Sequence, residues 1–144
     1  MTPLKTSHDA INPCGFLIEN DGEKLIYMTD TGTIPKKSLK YMVNADYYFI
    51  ESNHDLDMLN NSGRPRFLIN RIAGSYGHLS NEDSAYYMSG LVGPKTKKII
   101  LAHLSEECNT EELALKTYKY IFELRKVNYD IDIVCAKQRE SIDL

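Results

Sequence analysis

The side chains able to do chemistry in this 144-residue chain gather in short polar clusters: Ser7-His8-Asp9, Thr29-Asp30-Thr31-Gly32 and Ala102-His103-Leu104-Ser105. Imidazole nitrogen and carboxylate oxygen are borderline and hard donors, a set that suits a first-row divalent cation such as zinc or manganese. None of these pairs has the i, i+4 spacing of a helical zinc motif, so any ligand set has to be assembled by the fold. A histidine beside a strand also fills structural roles, and an aspartate before Thr-Gly also makes turns. Residue type and spacing leave both readings open.

Two further clusters are Glu51-Ser52-Asn53-His54-Asp55 and Gly77-His78-Leu79-Ser80-Asn81. A glutamate directly after the apolar run Tyr47-Tyr48-Phe49-Ile50 is poorly placed for simple solvation. Beside a histidine it can orient the ring and tune it for proton transfer. The plainer alternative is that Glu51 ends a strand and His78 precedes a helix cap. His54 and Asp55 either line the same cleft or form an exposed loop pair.

These clusters need elements to hold them. Gly15 to Glu19 and Lys24 to Thr29 are apolar runs around Asn20-Asp21-Gly22-Glu23, and Asp-Gly between such runs predicts a hairpin. Pro35 opens a helix to about Met42, and Asp46 to Glu51 reads as a buried strand. Asp55 to Asn61 predicts a short helix. Ser80 is the expected N-cap of a helix through about Leu91, with Asp83 in capping-box position. Lys98 to Ala102 is a strand. Asn109 is the expected N-cap of a longer helix with Leu115, Tyr118, Ile121, Phe122 and Arg125 on one face, and Ile131 to Ala136 is a last strand. Alternation of strands and helices predicts a layered α/β fold in one domain spanning residues 1–144.

Composition narrows the partners. Apolar residues make up 42% and charged residues 26%, and no apolar run approaches a membrane span, which points to a cytoplasmic protein. Cys14, Cys108 and Cys135 are odd in number and outside any CxxC spacing, which argues for reduced thiols rather than a disulfide framework or a thiolate zinc site. A net charge of −3 gives no global attraction for nucleic acid, although Arg64, Arg66 and Arg71 form a local basic cluster that can reach phosphate.

The ordered segments SHDAINPCGF, TDTG, IESNHD, GHLSNEDSA and LAHLSEECNTEELA resemble the second half of the metallo-β-lactamase-fold hydrolase superfamily, specifically its YycJ/WalJ-like branch. The resemblance runs from Ser7 to about Ala136. It implies the C-terminal half of an αββα sandwich, with His8, Asp30 and His103 as metal ligands, Asp30 bridging two cations, and Glu51 with His78 as a proton relay. The implied chemistry is metal-assisted hydrolysis of a phosphodiester in DNA or RNA.

The superfamily's first metal motif, HxHxDH, is absent from these residues, and all four histidines belong to other clusters. The resemblance therefore implies at most one weakly held cation here, zinc or manganese. It also implies a partner in trans, either an N-terminal half or a second copy, and an uncovered sheet face. The alternative is a non-catalytic module that uses the old cleft and the three arginines to hold nucleic acid, with salt-dependent binding and no turnover.

Overall fold

The computed structural model describes residues 1–144. Asp21 and Gly22 both adopt positive φ, 50° and 81°, which is what a two-residue turn matched to strand twist requires. They join β2 (Cys14–Asn20) to β3 (Glu23–Met28), with Asn20 opposite Glu23. An additional strand, β1 (Thr2–Lys5), pairs antiparallel with β2 at the sheet edge. Its four residues are too few to show a period, and Pro3 is tolerated because one side of an edge strand has no ladder to complete.

From β3 onward the chain alternates. Helix α1 (Lys36–Met42) leads to β4 (Tyr47–Glu51); α2 (Leu56–Asn60), α3 (Arg66–Ala73) and α4 (Asn81–Leu91) lead to β5 (Lys98–Ala102); α5 (Glu111–Leu124) leads to β6 (Asp132–Cys135). The strands stand in sequence order in one six-stranded sheet, antiparallel from β1 to β3 and parallel from β3 to β6. The layered α/β expectation holds. Ser80 caps α4 by accepting from the Asp83 N–H, as expected. Helix α5 is capped by Thr110 rather than Asn109, because the Asn109 side chain is drawn into a buried network described below. Helix α3, which carries Arg66 and Arg71, is not anticipated from the sequence.

One sheet face carries the core. Leu17, Ile26, Tyr48 and Ile99 lie in one cross-strand row and Met28, Ile50 and Leu101 in another, packed with Met42, Ala85, Met88, Ala114 and Tyr118 from the helices. The opposite face presents Phe16, Tyr27, Phe49, Ile100 and Val134 in register across β2 to β6. This row lies outside the core cluster; Tyr27 is 39% exposed and stacks on Phe49 with centroids 4.9 Å apart. Phe16, Phe49 and Val134 are partly exposed while Ile100 is buried, so the expected uncovered sheet face is only partly open.

The alternation also fixes where polar side chains can meet. In a parallel sheet, loops at the carboxyl ends of neighbouring strands emerge side by side. Asp30 follows β3, Glu51 ends β4 and His103 follows β5, so residues far apart in sequence arrive at one edge. No helix is long and apolar enough to cross a membrane.

Candidate metal and proton-transfer site

Glu51 is the centre of the site. It is completely buried, and its carboxylate is fully subscribed. The Nδ1 atoms of His78 and His103 both lie 2.7 Å from Oε1, while Oε2 accepts from the backbone N–H of Thr31 at 3.0 Å and of Leu79 at 3.3 Å. A carboxylate only accepts, so both imidazoles donate from Nδ1 and keep Nε2 for other work. Burial alone would raise the Glu51 carboxyl. The hydrogen bonds from His103 and His78, the Thr31 N–H and the charge on His78 outweigh burial and bring it down to about 2. The same hydrogen bond raises His103 above its ordinary value against the effect of burial, with Glu51 and Asp30 adding charge.

Asp30 sits beside this pair, its Oδ1 3.4 Å from His103 Nδ1 and 3.7 Å from His78 Nδ1. Its side chain is about half exposed, at 49%. Asp30 and His103 both adopt left-handed backbone, φ 53° and 56°. Aspartate and histidine tolerate that region better than most residues, and such conformations gather where a loop is over-determined by function. The donor atoms of Asp30, Glu51, His78 and His103 lie within 4.8 Å of one another, a grouping compatible with a cation. Glu51 has no lone pair to spare, however, so its part is to orient the two imidazoles.

His8 lies on the far side of His78, with ring centroids 5.1 Å apart. Its Nδ1 donates to the Gly77 carbonyl at 3.0 Å, the arrangement that leaves Nε2 as a ligand atom, and Nε2 is 3.5 Å from Asp9 Oδ1. Asp9 is clasped by Arg71, with Arg71 Nη2 2.6 Å from Asp9 Oδ2. The expected residues therefore meet: Asp30, Glu51, His78 and His103 in one cluster, and His8 adjoining it.

The loops are held by backbone contact as well. Gly32 N–H donates to the Ser7 carbonyl at 2.9 Å, and a Cβ on Gly32 would collide with the Gly74 carbonyl. Beneath the site, Ser52 Oγ donates to Asn81 Oδ1 at 2.6 Å, Asn81 Nδ2 to Asn109 Oδ1 at 2.9 Å, and Asn109 Nδ2 to the Ser52 carbonyl at 2.9 Å. This closed polar knot joins the three loops that carry Glu51, His78 and His103. Sequence reasoning did not identify it, since asparagines after strands ordinarily read as turn residues.

His54 and Asp55 part company. His54 is 1% exposed rather than part of an exposed loop pair, because the loop after β4 is pinned between the α4 and α5 entries. Its Nε2 has no hydrogen-bond partner. Asp55 points away from this role and caps α2 through the Met58 N–H at 2.9 Å. Two of the three arginines of the basic cluster are engaged, while Arg66 stays exposed at the start of α3. Arg64 pairs with Glu107 at 2.6 Å and reaches Cys108, and Arg71 is spent on Asp9, since the folded chain brings acids from distant loops beside both.

Burial, followed by the charge on His78, lowers His54 to about 4. From pH 6.5 down to 4 the unfolded chain binds a proton that the folded chain refuses, so stability falls with falling pH by about 3 kcal/mol at most. Glu51 extends this loss between 4.5 and 2. His103, raised in the fold, contributes stability that is complete below 6.5 and fades as pH rises through its folded value. The expected result is a stability maximum near pH 6.5 for the metal-free chain, measured as urea midpoints across pH in chelator. A flat profile between 4 and 6.5 would show that His54 titrates normally.

Comparison with known proteins bears on the fold and the family. No family model matches the chain. The exodeoxyribonuclease WalJ of Streptococcus pneumoniae is 42% identical over 111 residues, covering 77% of this chain and 41% of that protein. The exodeoxyribonuclease YycJ of Bacillus anthracis is 37% identical over 117 residues, covering 81% and 44%. Among solved structures, the metallo-β-lactamase fold protein YhfI of Bacillus subtilis superposes with a TM-score of 0.63 at 17% identity, over 92% of this chain and 45% of that one. A diphosphatase of the PhnP family superposes with a TM-score of 0.52 at 17% identity, over 92% and 39%. The chain thus spans about two fifths of the length of these curated relatives.

Proposed function

Because this chain belongs to the metallo-β-lactamase-fold superfamily and aligns with part of each relative, we propose that it forms the C-terminal half of a divalent-metal-dependent phosphodiesterase that degrades DNA from an end. The observation that carries the reading is the single Glu51 oxygen shared by the Nδ1 atoms of His78 and His103. It presents two Nε2 atoms at one opening, one for a cation and one for a proton. The names of the curated relatives support DNA as the substrate class and exonucleolysis as the mode.

In this reading His8, Asp30 and His103 are ligands, and zinc or manganese fits their mixture of imidazole and carboxylate. The donor chemistry fits: His8 and His103 each have Nδ1 tied to an oxygen acceptor, and Asp30 is exposed enough to turn a carboxylate oxygen toward a cation. When bound, the metal supplies Lewis-acid charge to the phosphoryl group and to the attacking water. His78, oriented by Glu51, holds a proton at Nε2 for the departing oxygen. The polar knot of Ser52, Asn81 and Asn109 keeps the relay from reorienting as charge develops.

The remaining ligands belong to a segment bearing HxHxDH outside these 144 residues, joined to them or supplied in trans. The partly open row from Phe16 to Val134 offers such a segment an apolar face to pack on. Mixing the chain with a separately made HxHxDH-bearing half of a relative, in manganese or zinc, is expected to release nucleotides from linear DNA, with little or no release from either part alone. Absence of nuclease activity in the mixture despite complex formation would overturn the proposal. Arg64 and Arg71 already hold acids, which leaves Arg66 as the one member of the basic cluster without an ion pair and weakens the binding-module alternative.

A further inference from the structure

A cavity of about 390 Å³ opens beside the relay, bordered by His78 and His103 on one side and by His54, Leu59, Ile72 and Cys108 on the others. Its volume falls in the range of small-molecule sites. His54 borders it with a lone pair that nothing in the protein uses. The tautomer follows from the neighbouring amide. Asn53 Nδ2 lies 2.8 Å from the His103 carbonyl, which can only accept, so the Asn53 amide orientation is set and its Oδ1 is an acceptor. His54 Nδ1 is 3.2 Å from that Oδ1 and must donate. Nε2 is then an unprotonated acceptor, buried and unpartnered.

An unsatisfied buried acceptor asks for a hydrogen-bond donor. The sugar–phosphate backbone inside a DNA strand offers none. Its phosphates and sugar ring oxygens only accept, and deoxyribose within the chain has no free hydroxyl. A strand end differs, because the terminal sugar carries a hydroxyl that donates. The charges around the cavity point the same way. Glu106 and Glu107 border it, and Arg64 is engaged by Glu107 and Cys108, so a terminal phosphate would meet acids and no free guanidinium.

We infer that this cavity seats the terminal nucleoside of a DNA strand, with its apolar wall against the sugar and base and His54 Nε2 accepting from the terminal hydroxyl. The inference rests on the phosphodiesterase reading and deepens it: His54 becomes the residue that tells an end from an interior. Seating the terminal nucleoside here would present its linkage to the next nucleotide to His78 and His103 at the cavity edge.

The test needs no turnover. An internally labelled single-stranded oligodeoxynucleotide with free terminal hydroxyls is compared, by equilibrium binding to the full chain, with the same oligomer O-methylated at both termini and with one phosphorylated at both. The free-hydroxyl form is expected to bind about tenfold tighter than either capped form, the worth of one buried hydrogen bond. His54→Phe keeps a ring but no acceptor, and is expected to erase the preference, so that the free-hydroxyl and methylated oligomers bind it equally. Equal binding of all three oligomers by the wild-type chain would leave only an ordered water for Nε2 and overturn the end-reading role alone. A preference that survives in His54→Phe would overturn it too. No binding of any oligomer would sink the nuclease reading together with this one. The wild-type comparison stands by itself if the variant does not fold.

Discussion

Titrated with zinc or manganese, the wild-type chain is expected to take up at most one cation per molecule, and Asp30→Ala is expected to weaken that uptake by at least about a hundredfold. His103 has its Nδ1 committed to Glu51, leaving a single nitrogen for a metal, and His8 has its Nδ1 committed to the Gly77 carbonyl. Two neutral imidazoles cannot neutralise a divalent charge, and Glu51 is saturated by four donors. Among the four grouped side chains Asp30 is therefore the one carboxylate with oxygen to give, and its removal takes away the anionic member of the proposed ligand set. Its exposure limits the packing lost, but alanine is less at ease than aspartate at φ 53°, so a urea midpoint taken beside calorimetry and elemental analysis separates binding from unfolding. Wild-type affinity retained in Asp30→Ala would remove Asp30 from the ligand set.

Glu51→Gln is expected to have the second large effect, and on two quantities at once. Glutamine matches glutamate in size but brings an NH2 where an acceptor stood. Two of the four donors now directed at Glu51, from His78, His103, Thr31 and Leu79, would then face another donor in a site with no exposure. Leaving buried polar groups unpaired in this way costs about 1–3 kcal/mol each, read as a lower urea midpoint. In the enzyme reconstituted with an HxHxDH-bearing half, turnover should fall by roughly 10²–10⁴, since His78 loses the partner that orients it for proton delivery. His78→Ala separates the two effects, because it removes the proton donor but leaves Glu51 its other three hydrogen bonds. It should lose turnover with a smaller change in stability. Normal turnover in Glu51→Gln would show that the carboxylate only holds the loops together.

Much of this was legible before any coordinates. Asp21-Gly22 specifies its hairpin because few residue pairs accept two consecutive positive φ values. Ser80 and the apolar spacing in 111–124 mark their helices through local chemistry that acts within a turn or two. The polar clusters after 28, 50 and 102 were readable as loop residues at strand ends, and parallel strands bring such ends together whatever the details of packing. Short elements escaped: β1 has four residues, and α3 is headed by a Pro-Arg sequence that reads equally well as an exposed basic loop.

Other features existed only in the assembled molecule. Glu51 meets His78 and His103 across separations of 27 and 52 residues, and no local period encodes which carboxylate oxygen receives both rings. The Asn109 amide could cap a helix or turn inward, and the buried carbonyl of Ser52 decided for the interior. Arg64 and Arg71 read as free cations until Glu107 and Asp9 arrived from distant loops. Whether His54 lines the cleft or stands in an exposed loop was settled when the loop after β4 was pinned by backbone bonds to Leu79, His54 itself giving its carbonyl to Asn81. Most elements and the loops that carry chemistry are written locally, because turn conformations and hydrophobic periods act over a few residues. Which donor faces which acceptor is settled by the assembled fold, because those pairings depend on strand order and on how tightly neighbouring loops pack.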